Sequence, residues 1–257
     1  MKGSLIVAFV FGVILCGISS GCVSEYNLAT GRREFLLYST EKEVNIGRSI
    51  SRQVEKKYKV LSAAAGGERV ERIGEKIAAA CDRRDIVYYF KALDAEEVNA
   101  ISLPGGFVYV NKGLLDIATD DELAGVIGHE VAHIVARHSI KKLQASMGYM
   151  LARILAVSVA KSPRGAIQGA DIAFNQILLG YSRQDELLAD KVGLRYSARA
   201  GFKPEAMITF LRKLQKINRD RPVRPLFYNR THPYTSERIR RIKQELGKNV
   251  DFRDYIR

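Results

Sequence analysis

The chain has 257 residues, 47% apolar and 27% charged, with 21 Gly, 6 Pro and no low-complexity tract; it encodes one globular domain or two small ones, not a disordered, collagenous or coiled-coil chain. Forty-one Lys and Arg against 28 Asp and Glu leave a formal charge of +13. That surplus suits nucleic acid, anionic lipid and acidic partners alike, but it is spread along the chain and no nucleic-acid module is recognisable, which favours an envelope surface.

Lys2 precedes an apolar run from Leu5 to Leu15 and a small-residue exit, Cys16-Gly17-Ile18-Ser19-Ser20-Gly21-Cys22. A charged start, short apolar core and small-residue end describe a secretory signal; even counted to Ile18 the core is about 14 residues, against the roughly 20 of a membrane-spanning helix. Ser20-Gly21-Cys22 resembles the bacterial lipobox, although Ser19 stands where that pattern usually has Leu. Residues 1–21 are therefore expected to be a lipoprotein signal peptide, and Cys22 the lipidated N-terminus of the mature chain. Cys81 then has no intramolecular partner, so a packed core rather than a disulfide must hold the fold, and Cys81 reads as a small buried side chain. The expected location is the bacterial cell envelope, lipid-anchored to the membrane and facing the periplasm. Val23 rather than Asp after Cys22 points to the outer membrane, and export leaves no nucleic acid to bind.

Residues 22–38 read as a polar tether and 39–257 as one catalytic domain. Thr40-Glu41-Lys42-Glu43 suggests a capping box opening a helix to about Lys59. After Gly66-Gly67, Val70, Ile73 and Ile77 mark one face of a helix from about Arg69 to Ala80. Ile86 to Leu93, Val98 to Leu103 and Phe107 to Asn111 read as three strands of a small antiparallel sheet, the last two flanking a Pro104-Gly105-Gly106 turn. Asp120 or Asp121 caps a helix from about Glu122 to Ser139, and another covers about Leu143 to Ala160. Ser182, with Asp185 three residues on, starts a helix ending near Gly201; Pro204 opens one to about Ile217. A basic loop, Asn218 to Tyr234, leads to a last helix ending near Leu246. The fold class is mostly α with a small sheet, α+β.

Gly128-His129-Glu130-Val131-Ala132-His133 contains H-E-x-x-H, which with only four His in the chain arises by chance on the order of once in 250 such chains. At about 100° per residue the two His rings lie about 40° apart on one helical face, the spacing a tetrahedral zinc ion requires, and Glu130 sits beside that face. Val126, Ile127, Val131, Ala132, Ile134 and Val135 make the helix apolar nearly all round, so its polar side chains need partners. A third ligand is needed. His138 would point about 180° away from His129 on a continuous helix, and the metzincin extension would need Gly at Ala136 and His at Ser139, so His138 is rejected. Glu186 and Asp190, four apart on a separate helix, share a face; one carboxylate can bind metal while the other accepts the free N–H of a ligand His.

At this point the sequence resembles the zinc metallopeptidases that include the CAAX prenyl proteases, HtpX and BepA. The resemblance runs from about Thr40 to Leu246. It is carried by Asn99-Ala100-Ile101-Ser102-Leu103-Pro104-Gly105-Gly106, Asn111-Lys112-Gly113-Leu114-Leu115, the H-E-x-x-H segment, Glu186-Leu187-Leu188-Ala189-Asp190 and Thr231-His232-Pro233. The layout is that of the family's small lipoproteins. The resemblance implies a gluzincin fold in which His129, His133 and Glu186 bind one Zn²⁺ per chain and Glu130 is the base. It also implies that Asn99, Ala100, Ile101 and Ser102 form an edge strand where an extended peptide adds by backbone hydrogen bonds. In BepA the Thr-His-Pro motif can place its His at the open metal position, so His232 either stabilises an oxyanion or restrains the site; the restraining role is the one expected here.

The function expected is a zinc endopeptidase acting on unfolded or misassembled envelope proteins. The competing reading is a chaperone-like factor of the outer-membrane assembly machinery that uses the same edge strand without cleaving.

Overall fold

The computed structural model describes residues 23–146, 180–220, 227–251 and 254. The signal sequence, Cys22 and the part of the Leu143–Ala160 helix beyond residue 146 lie outside the described residues.

The segment read as a tether starts with a hairpin. β1 (Val23–Asn27) and β2 (Arg32–Leu36) pair antiparallel around Gly31, which takes a φ of 66°. Its polar composition conceals this because the charges turn inward: Glu25 and Glu34 pair with Arg137 and Lys141, and Asn27 Nδ2 donates to Ala136 O at 3.0 Å.

Helix α1 (Thr40–Lys57) is capped by Ser39, whose Oγ accepts from Lys42 N at 3.3 Å, and not by the box expected from Thr40 and Glu43. Glu43 instead lies buried against Arg83, with the two groups 2.8 Å apart, and Arg83 also donates to Ile134 O at 3.0 Å. Helix α2 (Gly67–Ala80) buries Val70, Ile73 and Ile77 as its periodicity predicts, and Cys81 behind them is buried.

Strands β3 (Tyr89–Leu93), β4 (Ala100–Leu103) and β5 (Phe107–Asn111) form a sheet in the order β3-β5-β4. Gly105 and Gly106, at φ 74° and 106°, make the β4–β5 turn in a region that side chains avoid. These two strands are antiparallel as expected, but β3 joins the far side of β5 in parallel, so the sheet is mixed and β4 is left at the edge.

After the short α3 (Lys112–Leu115), helix α4 (Asp120–Val135) carries the H-E-x-x-H segment. Its cap is Thr119, in a reciprocal box with Glu122, rather than either aspartate that follows. It also stops four residues before the expected Ser139: Arg137 adopts a left-handed φ of 56°, and residues 138–146 resume as a helix. Side chains satisfy the carbonyls at this break, Arg83 at Ile134 O and Asn27 at Ala136 O. Arg137 itself donates to Glu25 Oε1 at 2.7 Å and to Thr40 Oγ1 at 3.0 Å.

Helix α5 (Arg183–Arg199) opens on the expected Ser182–Asp185 box. α6 (Ala206–Asp220) follows, and part of the basic loop proves helical as α7 (Phe227–Thr231) before α8 (Thr235–Glu245). Helix α4 is buried from Glu122 to Val135 and packs on α2, α5, α6 and β4. A Cβ on Gly193 would stand 2.7 Å from His129 N, and one on Gly128 would stand 2.8 Å from Gly193 O, so α4 and α5 cross backbone against backbone. The α+β class and the gluzincin-type architecture are those expected. Among the described residues no helix is long and apolar enough to cross a membrane.

Candidate metal centre

Helix α4 delivers His129, Glu130 and His133 to one point, all within 1% of full burial. The glycine crossing lets α5 approach closely enough for Glu186 to meet them, and Thr231-His232-Pro233 brings His232 from the opposite side. One ligand atom from each of His129, His133, Glu186 and His232 falls in a cluster no more than 4.8 Å across. His129 Nε2 and His133 Nε2 are 3.0 Å apart, and they lie 3.5 and 3.4 Å from the two Glu186 oxygens.

The rings are held by groups behind them. Asp190 accepts from His129 Nδ1 at 2.9 Å, as a carboxylate must, and this turns Nε2 into the cluster. His133 Nδ1 is 2.8 Å from His138 Nδ1, and His138 Nε2 lies 3.3 Å from Asp185. His138 therefore does not point away. The break at Arg137 ends the continuous helix on which that expectation rested and folds His138 back against His133. It stays outside the four-residue cluster, so its rejection as a ligand stands, for a different reason.

Three further residues escaped sequence reasoning. Arg238 of α8 is fully buried, donates from Nε and Nη2 to Asp190 at 2.8 and 2.7 Å, and places Nη1 3.0 Å from Glu186. Tyr181 stacks on the His133 ring at 3.9 Å and shares a 2.7 Å hydrogen bond with Ser139 Oγ. Ser102 of β4, expected only as part of an edge strand, donates from Oγ to Glu130 Oε2 at 2.7 Å. Arg238 and Tyr181 come from elements with no spacing relation to H-E-x-x-H, so no periodicity could have found them.

Electrostatics keep both carboxylates charged here. Burial opposes charge on Glu186, but His232, Arg238 and His129 outweigh it and hold the carboxyl well below the usual range; Arg238 and His129 do the same for Asp190. Burial and Arg238 pull the His129 imidazole down, yet Glu186 and Asp190 push it up to about 9, while burial holds His133 and His138 low and neutral. Glu130 Oε1 and Glu186 Oε2 are buried oxygens with no hydrogen-bond partner. Their polar contacts are at ion-pair distances, Arg238 Nη1 at 3.0 Å from Glu186 Oε2 and His232 Nε2 at 3.3 Å from Glu130 Oε1, and a cation among the imidazoles would add the coordination these buried oxygens lack. Two imidazoles and a carboxylate, with a third imidazole opposite, are a donor set suited to a divalent transition metal.

A family profile, Peptidase family M48, matches residues 65–246, which include every residue of this cluster. The chain belongs to peptidase family M48. Metal binding is thus a property of its family as well as of this donor set. The beta-barrel assembly-enhancing protease of Escherichia coli (strain K12) is 24% identical over 250 residues, covering 93% of this chain and 50% of that protein. Metalloprotease YcaL of the same organism is 29% identical over 183 residues, 70% of each chain, and metalloprotease LoiP is 29% identical over 168 residues, 62% of each. The chain spans about half the length of the first of these M48 relatives.

The edge-strand residues lie beside the centre. Asn99 O accepts from Asn111 N at 3.0 Å, so the alternation of an antiparallel ladder turns the N–H and C=O of Ile101 toward β5 and those of Ala100 and Ser102 to the edge away from β5, where both residues are buried. There Ser102 O accepts from Ser139 Oγ at 3.3 Å. Asn99 lies outside β4, where its Oδ1 accepts from Thr231 Oγ1 at 3.3 Å and ties the strand to the His232 segment.

Proposed function

We propose that this M48 protein is a zinc-dependent endopeptidase, anchored by lipid on Cys22 in the bacterial envelope, that cleaves unfolded or misassembled envelope proteins. The observation that carries the reading is the buried convergence of His129, His133 and Glu186 with Glu130 placed beside them and fixed from β4. His129, His133 and Glu186 would hold one zinc. When bound, zinc supplies Lewis acidity that polarises a peptide carbonyl and acidifies water.

The chain's own groups do the rest. Ser102 Oγ occupies Glu130 Oε2, which leaves Oε1, free of hydrogen bonds and faced by His232, to take a proton from water and pass it to the leaving amine. Asp190, steadied by Arg238, keeps His129 in the tautomer that presents Nε2. An extended substrate adds along β4 through Ala100 and Ser102, in competition with Ser139 at Ser102 O; backbone pairing is indifferent to side-chain sequence and suits unfolded segments. His232 fills the approach. Its Nδ1 is 3.2 Å from His129 Nε2 and 3.1 Å from Glu186 Oε1, and its Nε2 is 3.3 Å from Glu130 Oε1, so the ring acts as a restraint that must move before substrate enters.

The envelope setting is supported by the signal-like N-terminus, and a role near β-barrel assembly by the similarity to the beta-barrel assembly-enhancing protease of Escherichia coli. The test is degradation of an unfolded protein such as reduced casein. Wild type is expected to cleave it and Glu130→Gln to lose activity by about 10²-fold or more. Cleavage that survives the substitution removes Glu130 from the chemistry. Binding without cleavage by wild type selects the chaperone reading instead.

A further inference from the structure

The N-terminal hairpin is built inside out. Side chains opposite each other in the register share a face, so Ser24 with Phe35 and Tyr26 with Arg33 lie on one side, and Glu25 with Glu34 on the other. The glutamate side rests on the domain through Arg137 and Lys141, beside Asn27 at Ala136 O. The outer side carries Tyr26 and Phe35; with Leu28 in the turn and Leu37 just past β2, these side chains are 45–61% exposed. Among the described residues only Val87 and Tyr234 are other large apolar side chains at least this exposed, so the exposure concentrates on one hairpin. Arg33, on the same outer side as Tyr26 and Phe35, is exposed near the turn. A solvated hairpin keeps its polar face outward, and an apolar patch of this kind marks an interaction surface.

The position of this face in the chain says what it meets. Phe35 lies opposite Ser24, two residues after Cys22, and Leu37 follows Leu36, the partner of Val23. At about 3.4 Å per residue, Phe35 is thus within roughly 7 Å along the strand of the residue expected to carry lipid. We infer that the outer face of the β1–β2 hairpin docks into the interface of an anionic bilayer. Tyr26, Leu28, Phe35 and Leu37 enter at the headgroup level, where aromatic side chains settle, and Arg33 on the same side meets lipid phosphates. This inference rests on the proposed anchoring at Cys22. Its consequence for the site is orientation: the hairpin's inner face grips residues 136 and 137 at the end of α4, so docking fixes the metal helix relative to the membrane. The anchor and the hairpin would together hold the domain in one pose.

The chain contains no Trp, so Phe35→Trp gives a single reporter. The intact variant is reconstituted in vesicles of phosphatidylethanolamine and phosphatidylglycerol, with and without lipids brominated on the upper acyl chain. Docking predicts blue-shifted emission that loses most of its intensity to the brominated lipid, and weaker quenching when Arg33→Glu is added. Emission typical of water overturns it. Blue-shifted emission that brominated lipid leaves intact also overturns it, because the face is then covered by protein. The N-terminal mass of the same sample separates the two readings: absence of acyl chains on Cys22 defeats the anchoring. Docking is then read after coupling the Cys22 thiol to a maleimide lipid, Cys81 being buried.

Discussion

Four imidazoles meet at this centre, and they divide into two that face the metal position from α4 and two that act on them. His129 and His133 were legible because both sit on one helix, where a spacing of four fixes a shared face; Glu186 and Asp190 were legible for the same reason. His138 was not, since its direction depends on a left-handed residue at Arg137 that is held by a hairpin far away in sequence. These placements predict separable effects on metal binding. Glu186→Ala should lose most of the zinc measured by elemental analysis. His138→Ala should keep one ion per chain, bound about 10- to 100-fold more weakly because His133 loses the group that orients it. The reverse result would overturn the ligand assignment. His232→Ala tests restraint, since its ring stands between Glu186 and Glu130. Proteolysis should rise with zinc retained. A fall in kcat of about 10²- to 10³-fold with zinc retained would assign His232 to the oxyanion instead, and no change in either would leave it only a packing role.

Elements place these residues, and the contact between α4 and α5 matters most. Gly193 follows Glu186 by seven residues, two turns along the same face, and Gly128 immediately precedes His129. A methyl group at Gly193 meets backbone, not a flexible side chain, so Gly193→Ala must part the helices. It should cost about 1–3 kcal/mol in stability and weaken zinc binding by withdrawing Glu186 from the histidines, read by thermal melting and metal titration. Unchanged melting with full zinc affinity would show that the crossing has slack. Local signals located α2, β5 and α5 to within a residue or two, because apolar spacing and Ser182–Asp185 capping are properties of single segments. Pairing was less visible. That β3 runs parallel to β5, and that residues 23–36 form a hairpin with its glutamates inward, both depend on partners distant in the chain.

At the scale of the molecule, the chain carries a net charge of +13 and the described residues pack a buried core in which Cys81 is a free thiol. The proposed tie to a membrane rests on the N-terminal sequence. The apolar run ending near Ile18 falls short of the roughly 20 residues of a membrane-spanning helix, and small residues lead into Cys22, which is the pattern expected of a lipoprotein signal. The structure adds that β1 begins at Val23, so a lipidated Cys22 leaves no free tether between acyl chains and folded chain. Labelled palmitate should therefore enter the protein and disappear in Cys22→Ser, while Cys16→Ser leaves incorporation intact. With two or three acyl chains the wild type should stay in the membrane fraction in high salt; Cys22→Ser, left with the hairpin and basic surface alone, should be released as salt screens its charges. Incorporation that survives Cys22→Ser would sink the lipoprotein reading, and a Cys22→Ser protein that high salt fails to release would place the anchor elsewhere in the chain.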